Sequence, residues 1–321
     1  MKKTIKSILC VVLVAAFVLA LAGCAKINYV TNGAIQAIKE VQDGTWNQTD
    51  ETEEETGTST IDPFVADTYG GIEFTSEADV VDYYVQCYNN TKSQTANYID
   101  ADGNTVTYYA LLGEEALTIE NVLIEGSENS VINGIVPEIV DGLFSKTTYG
   151  LPPCNNRDPL LDNSNGDASN PGQFDFRTSY LTAEDVQACN VVDNGDGTIT
   201  LTIQPKAGQM SMRGEDSQGR FFEVLGDIAG TVDSIDMLTW ASGTTEENCL
   251  VNYEGGPGTI KIDPATNTIT EADYHMAVQV QVNHASILVI KDKSAEVNIS
   301  YNMHYPASDD YLMEARQLTR A

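Results

Sequence analysis

The sequence predicts an α+β fold, in which an antiparallel β-meander sheet has two or three helices packed on one face. Segments in the second half of the 321 residues alternate apolar and polar side chains. This period of two is typical of antiparallel strands with one buried and one solvated face. Segments in the first half carry apolar residues at helical spacing, and these helices would cover the buried face of the sheet. Apolar residues make up 42% of the chain, which is enough for a packed core.

The predicted helices are defined by their caps and their apolar faces. Ser76 and Asp79 form a capping-box pattern, and an aromatic and aliphatic stripe follows at helical spacing. A second helix is predicted between residues 129 and 144, where Val, Ile and Leu recur at the same spacing. A last helix is predicted from Asp309 to Arg320, with acids in its first turn and arginines towards its end.

The predicted strands are short and are joined by turns. In chain order they are Thr105–Leu112, Thr198–Gln204, Thr259–Asp263, Thr268–Thr270, Val278–Val282 and Val297–Tyr305. The segment Pro264–Asn267 is predicted to be a hairpin turn between two of them. The glycine-rich segment Gly255–Gly258 is predicted to be another hairpin turn, because neither a helix nor a lysine follows it as in a phosphate loop.

The first 24 residues have the three parts of a secretory signal. Lys2, Lys3 and Lys6 precede an apolar run at residues 8–21, and small residues follow it. The run of 14 residues is shorter than the roughly 20 that span a bilayer as a helix. The segment is therefore predicted to be a signal peptide rather than a transmembrane helix.

The end of this segment reads Leu21-Ala22-Gly23-Cys24, which resembles the lipobox of bacterial lipoproteins. The resemblance covers residues 1–24 and implies that cleavage occurs before Cys24 and that Cys24 becomes the lipidated first residue. It further implies a protein that is anchored by lipid to the cell membrane and faces the outside of the cytoplasm. The order of predicted elements also resembles that of uncharacterised surface lipoproteins of Firmicutes, a likeness that carries no catalytic residues.

The chain is predicted to have three parts. Residues 1–23 are the signal peptide, and residues 24–70 are a lipidated N-terminus with a short helix and an acidic tether. The tether contains five acids between Asp50 and Glu55 and too few apolar residues to offset the entropy of ordering it. Residues 71–321 form the globular domain, in which the proline-rich stretch 146–175 is either a functional surface loop or a joint between two subdomains.

The charge of the chain is strongly negative. Removal of residues 1–23 leaves 14 basic and 47 acidic residues, a net charge of −33. Such a polyanion repels nucleic acid, which is therefore not expected as a partner. The acidity either keeps an exported protein in solution or attracts cations and basic components of a cell wall.

Four cysteines remain after the signal peptide and the anchor are set aside: Cys87, Cys154, Cys189 and Cys249. An even number in an exported chain allows two disulfides, with three pairings that the sequence does not distinguish. Buried free thiols are the alternative. The spacing of the four cysteines matches no zinc pattern, and no metal or cofactor is predicted.

The sequence contains no recognisable catalytic motif, and no catalytic residues are predicted. His275, His284 and His304 all fall in the C-terminal strands, without the spacing of a helical zinc site. His304 lies on the polar side of its alternating strand and is expected to be solvated. The acidic segments Asp100–Asn104 and Asp193–Gly197 are read as turns or, alternatively, as calcium sites.

The predicted function is that of a non-catalytic binding module on the cell surface. Its ligand would be a lipid or another apolar molecule held between sheet and helices, or a component of the wall. The alternatives are a structural or adhesive surface protein, and an exported hydrolase of wall or glycan with a carboxylate site. Two or three carboxylates that converge in a cleft and have raised pKa values would favour the hydrolase, and a large apolar cavity under the sheet would favour the lipid carrier.

Overall fold

The structure is a computed structural model that describes residues 61–128, 148–153, 177–209, 216–222, 238–287 and 290–321. Several sequence-based predictions lie outside these ranges. They are the signal peptide with Cys24, the acidic tether up to residue 60, the helix at 129–144, Cys154 and most of the stretch 146–175. The first strand begins at Asp67, four residues before the predicted start of the globular domain.

The main sheet contains ten strands within the described residues, and these strands pair antiparallel. Its strands are β5 (Glu114–Ile124), β6 (Ser127–Glu128), β7 (Val186–Asp193), β8 (Ile199–Pro205), β9 (Gly208–Gln209), β10 (Leu238–Trp240), β11 (Cys249–Gly255), β12 (Gly258–Asp263), β13 (Thr268–Ile287) and β14 (Ile290–Tyr305). The spatial order is β6-β5-β14-β13-β12-β8-β7. β10 and β11 also pair with β13, and β9 pairs with β11.

Two small sheets and four helices complete the described fold. One sheet pairs β1 (Asp67–Tyr69) with β2 (Ile72–Phe74), and the other has the order β15-β3-β4, formed by Thr319–Arg320, Thr95–Ile99 and Thr105–Tyr109. The helices in the described ranges are α1 (Glu77–Lys92), α2 (Ser217–Phe221), α3 (Thr245–Asn248) and α4 (Asp309–Arg316), with a 3₁₀ turn at Ala183–Asp185.

The prediction of an α+β fold was wrong, because the described residues are predominantly β. β13 is 20 residues long and β14 is 16 residues long, and they pair along most of their length with shifts of register between Val282 and Ile287. Three of the short predicted segments are therefore parts of one long hairpin, on whose two sides the other strands of the main sheet assemble. They are Thr268–Thr270, Val278–Val282 and Val297–Tyr305. The predicted helix at 309–320 ends at Arg316, where Gln317 takes a left-handed conformation with φ of 54°. It packs with β3 and β4 around a second, smaller core.

Helix α1 covers the main sheet, as its pattern predicts. The Ser76 hydroxyl accepts a hydrogen bond from the backbone N–H of Asp79 at 3.3 Å, and the Asp79 carboxylate accepts from that of Ser76 at 2.9 Å. Hydrogen bonds from Thr75 lower the pKa of Asp79. The predicted capping box is confirmed, and it starts the helix that buries Tyr84 and Tyr88 against the sheet.

Among the residues that the structure describes, aromatic side chains fill the space between α1 and the main sheet. Phe221 of α2 lies with its ring centroid 5.5 Å from that of Tyr84 and 5.4 Å from that of Tyr274 of β13. Tyr274 in turn contacts Tyr305 at 5.9 Å. The hydroxyls of Tyr84 and Tyr274 lie 3.1 Å apart, so these buried polar ends satisfy each other.

The segment Gly255–Gly258 is not the predicted hairpin turn. β11 pairs with residues 277–282 of β13, and β12 pairs with residues 268–274. The two strands therefore follow one another along the same edge of β13, and the glycines form the break between them. A local glycine pattern does not show whether the chain reverses direction. Here the direction is set by β13, because the strands before and after the glycines both pair with it. The turn at Pro264–Asn267 does join β12 and β13 as predicted.

Candidate functional site

A row of polar side chains crosses the outer face of the main sheet. The register places Glu114 of β5 beside His304 of β14, and His304 beside Asp273 of β13. Their neighbours Tyr274 and Met303 are buried on the opposite face. Strand alternation therefore sets an acid, a histidine and a second acid side by side on the outer face.

A second polar row lies next to the first on the same face. His275 of β13 is paired with Asn302 of β14, and its Nδ1 lies 2.6 Å from Asn302 Oδ1. In the first row, His304 Nδ1 lies 2.6 Å from Asp273 Oδ1. Because a carboxylate only accepts hydrogen bonds, Nδ1 of His304 is the donor, and in the neutral ring Nε2 is then the acceptor.

The break between β11 and β12 brings backbone close to His275. The backbone N–H of His275 donates to the carbonyl of Pro257 at 3.0 Å. Gly256 has φ of 119°, and a Cβ at this position would lie 2.3 Å from the carbonyl oxygen of His275. Only glycine permits this approach, so Gly256 and Pro257 shape one end of the site.

Helix α4 forms the wall opposite the sheet. Ser308 caps the helix by accepting from the N–H of Tyr311 at 3.3 Å. The Ser308 hydroxyl and N–H donate to the Glu114 carboxylate at 3.0 and 3.2 Å. The Tyr311 hydroxyl accepts from the N–H of Glu115 at 3.1 Å and donates to its carbonyl at 3.3 Å. These bonds attach the start of α4 to β5.

Between α4 and the sheet lies an acidic groove of about 560 Å³. Within the part of the chain that the structure describes, no Lys or Arg lines this groove. The Glu115 carboxylate accepts the hydroxyl of Tyr301. The residues that line the groove and carry ionisable or strongly polar side chains are Glu114, Glu115, Asp273, His275, Asn302, His304, Ser308, Asp310, Tyr311 and Glu314.

The sequence predicted the environment of one histidine but not the grouping of two histidines in the groove. His304 is half-exposed on the polar side of β14, as predicted, with 48% of its side chain accessible. The structure adds His275 beside it in the groove, whereas His284 lies farther along the hairpin and pairs with Asp292 at 2.7 Å. The convergence of His304 with Asp273 and Glu114 was missed. The alternation of polar residues in β5, β13 and β14 could have indicated this convergence, but only if the register between the three strands were known.

Metal and calcium sites receive no support within the ranges that the structure describes. No group of three or more His, Cys, Asp or Glu residues there could hold a metal ion. In the turn at Asp100, the carboxylate accepts the N–H of Asn104 at 2.8 Å, which lowers the pKa of Asp100. The N–H of Gly195 likewise lowers the pKa of Asp193, to which it donates at 2.8 Å. These carboxylates stabilise their own turns.

The three described cysteines, Cys87, Cys189 and Cys249, do not line the groove. Cys87 of α1 and Cys189 of β7 are buried free thiols, and burial raises the pKa of each to about 12. Thiols of this kind are poor nucleophiles at neutral pH. Cys249 is half-buried at the start of β11, and Cys154 lies outside the described residues. Disulfide formation remains a prediction.

Comparisons with other proteins supply no relative for this chain. It matches no protein-family model, no curated protein and no solved structure. Among the helices of the described ranges, none is both long enough and apolar enough to cross a membrane.

Proposed function

We propose that this protein is a lipoprotein anchored to the outer side of the cell membrane through lipid on Cys24. Its folded part is a non-catalytic binding module, and the ligand lies in the acidic groove. The observation that carries this proposal is the groove itself, which acidic residues of β5, β13 and α4 line together, while Lys and Arg are absent from the described residues that line it. A site of this composition attracts positive charge.

The ligand class that fits the groove is a protonated amine, such as the lysine side chains of a basic peptide. Two opposite unit charges 4 Å apart attract each other by about 1 kcal/mol in water and by more where water is partly excluded. Glu114, Asp273, Asp310 and Glu314 all line this space, so a ligand with several amines can gain from more than one acidic residue. The volume of about 560 Å³ is ordinary for a small-ligand site.

A polar ligand is favoured over the apolar ligand that the sequence suggested. The described space between α1 and the main sheet is occupied by the rings of Tyr84, Phe221, Phe222 and Tyr274, with neighbouring centroids 5.2 to 5.5 Å apart. A lipid there would have to displace these side chains from a packed core, at the cost of their contacts with each other. The groove on the outer face is already open.

A glycan hydrolase is the second candidate, because carboxylates do converge in one groove. Glycoside hydrolysis uses two carboxyl groups, one of which donates a proton to the leaving oxygen. His304 and Asp273 form a hydrogen-bonded pair of the kind that orients a base. Release of reducing ends from a wall glycan, lost in Asp273→Asn, would favour this function over binding alone.

The binding proposal is tested by calorimetry of the full chain, solubilised in a neutral detergent, with tetralysine as the probe. The same peptide acetylated on every amine is the neutral control. We expect tetralysine to bind and the acetylated peptide not to bind. Affinity should weaken with added salt, because exposed charges are screened.

The groove is assigned by a pair of charge-removing variants. Asp273→Asn combined with Glu114→Gln is expected to weaken tetralysine binding about tenfold or more, since each lost attraction is worth about 1 kcal/mol. The matched control is Asp292→Asn, which removes an exposed carboxylate farther along the hairpin. An equal loss of affinity in both proteins, or equal binding of the acetylated peptide, would contradict the proposal.

A further inference from the structure

The groove contains two histidines among its carboxylates, and histidine is the side chain that changes charge under mild acidification. We propose that the groove releases a cationic ligand when the pH falls, because protonation of His275 and His304 adds positive charge to the site. This inference depends on the proposed function, since it concerns the regulation of the same groove.

His304 occupies the centre of the acidic row. It is paired across the sheet with Glu114 on one side and with Asp273 on the other. His275 lies two residues from Asp273 on the same strand and therefore on the same face. The other titratable groups that line the groove come from β5, β13 and α4. They are Glu115, Tyr274, Asp310, Tyr311 and Glu314.

The hydrogen bonds of both rings determine what protonation changes. Nδ1 of His304 donates to Oδ1 of Asp273 at 2.6 Å. Nδ1 of His275 lies at the same distance from Oδ1 of the Asn302 side-chain amide. In each neutral ring Nε2 is therefore an acceptor, which suits an ammonium group. Protonation turns Nε2 into a donor and makes the ring a cation. An amine ligand then loses an acceptor and gains a like charge beside it.

Protonation of His304 also changes its interaction with the neighbouring carboxylate. A protonated His304 forms an ion pair with Asp273, so that carboxylate is less available to a ligand. Two new like charges in the groove are expected to weaken the binding of a multiply charged amine by about tenfold. Carboxyl groups in general titrate near pH 4 and lysine side-chain amines near pH 10, whereas a free α-amino group titrates near pH 8. The tetralysine used in this pH comparison therefore carries an acetylated N-terminus, so that its own charge stays constant between pH 8.5 and pH 5.5.

The test is the ratio of tetralysine affinities at pH 8.5 and pH 5.5, measured with the full chain at constant ionic strength. The ratio is determined for the unaltered protein, for the double variant His275→Gln with His304→Gln, and for His284→Asn. His284 is the third histidine of the chain and does not line the groove. Asparagine tolerates its left-handed backbone, whose φ is 52°. Thermal melting at both pH values confirms that each protein is folded.

We expect the unaltered protein and His284→Asn to bind about tenfold more weakly at pH 5.5. The double variant should show a ratio near one, whatever its absolute affinity. A double variant that keeps the tenfold ratio would overturn the inference and leave the proposed function standing. Failure of the unaltered protein to bind tetralysine at pH 8.5 would overturn both.

Discussion

At the scale of single residues, Lys92 shows how a charged side chain can be part of the core. It lies at the end of α1 and is only 3% exposed. Its Nζ donates to the carbonyls of Leu151 and Pro153 at 2.5 and 3.1 Å and to the hydroxyl of Tyr88 at 3.0 Å. The same Nζ lies 5.4 Å from the ring centroid of Tyr109. Lys92 therefore attaches the segment 148–153 to the helix.

Replacement of Lys92 by Met should destabilise the fold. Met keeps the length of the side chain but leaves buried carbonyls without their donor, which costs about 2–3 kcal/mol in the free energy of unfolding. The measurement is urea denaturation, and the matched control is Lys206→Met, since the Lys206 side chain is exposed. We expect the control to change stability by less than about 0.5 kcal/mol. Equal stability of the two variants would show that the contacts of Lys92 contribute nothing.

A second residue with a demanding position is Gly256, at the break between β11 and β12. Gly256→Ala would combine a positive φ with a contact against the His275 carbonyl, and we expect a loss of about 3 kcal/mol in stability. Gly103→Ala is the control, because Gly103 has φ of 79° and open space around it. That change should cost about 1 kcal/mol from the backbone alone. Similar losses in both variants, measured by denaturation, would argue against the close approach.

At the scale of elements, the sequence predicted local structure well and long-range pairing poorly. The start of α1 and the turn at Pro264–Asn267 were predicted correctly, because caps and turns are determined by neighbouring residues. The role of Gly255–Gly258 was predicted incorrectly, because it depends on β13, which follows it in the chain. The fold class was wrong for the same reason, since alternating segments do not show that they form one long hairpin.

The groove is likewise a product of pairing between distant elements. Its acids come from β5, β13 and α4, and Glu114 and Ser308 meet although 194 positions separate them. The sequence could indicate that His304 is solvated, because that follows from the alternation of one strand. It could not indicate which acids stand beside His304, because that requires the register of three strands and the position of α4 over them.

At the scale of the whole molecule, the proposed account is of a lipid-anchored protein that binds cationic ligands. The predicted anchor, the negative charge of the chain and the acidic groove are all consistent with it. The proposed cleavage before Cys24 would leave a net charge of −33, which disfavours adhesion to anionic lipid headgroups, so attachment to the membrane would depend on lipid. A single acyl chain binds only marginally, whereas two or more hold a protein firmly. The same negative charge attracts cationic ligands towards the groove.

The anchor is tested by Cys24→Ala in the cells that produce the protein. We expect the variant to lose metabolic labelling by fatty acid, because the lipidated side chain is gone, and to leave the membrane fraction. The control is Cys10→Ala, which changes a cysteine within the signal peptide and should keep the label. Unchanged labelling of Cys24→Ala would contradict the lipoprotein assignment.

The central claim, that the acidic groove binds amines, is tested most directly by NMR of the histidine side chains during a titration with tetralysine at pH 8.5. The chain has three histidines, of which His275 and His304 line the groove and His284 does not. The account predicts that the ring signals of His275 and His304 shift in a saturable manner while those of His284 stay in place. Unchanged signals of His275 and His304 at a saturating concentration of the peptide, or an equal shift of all three, would contradict it.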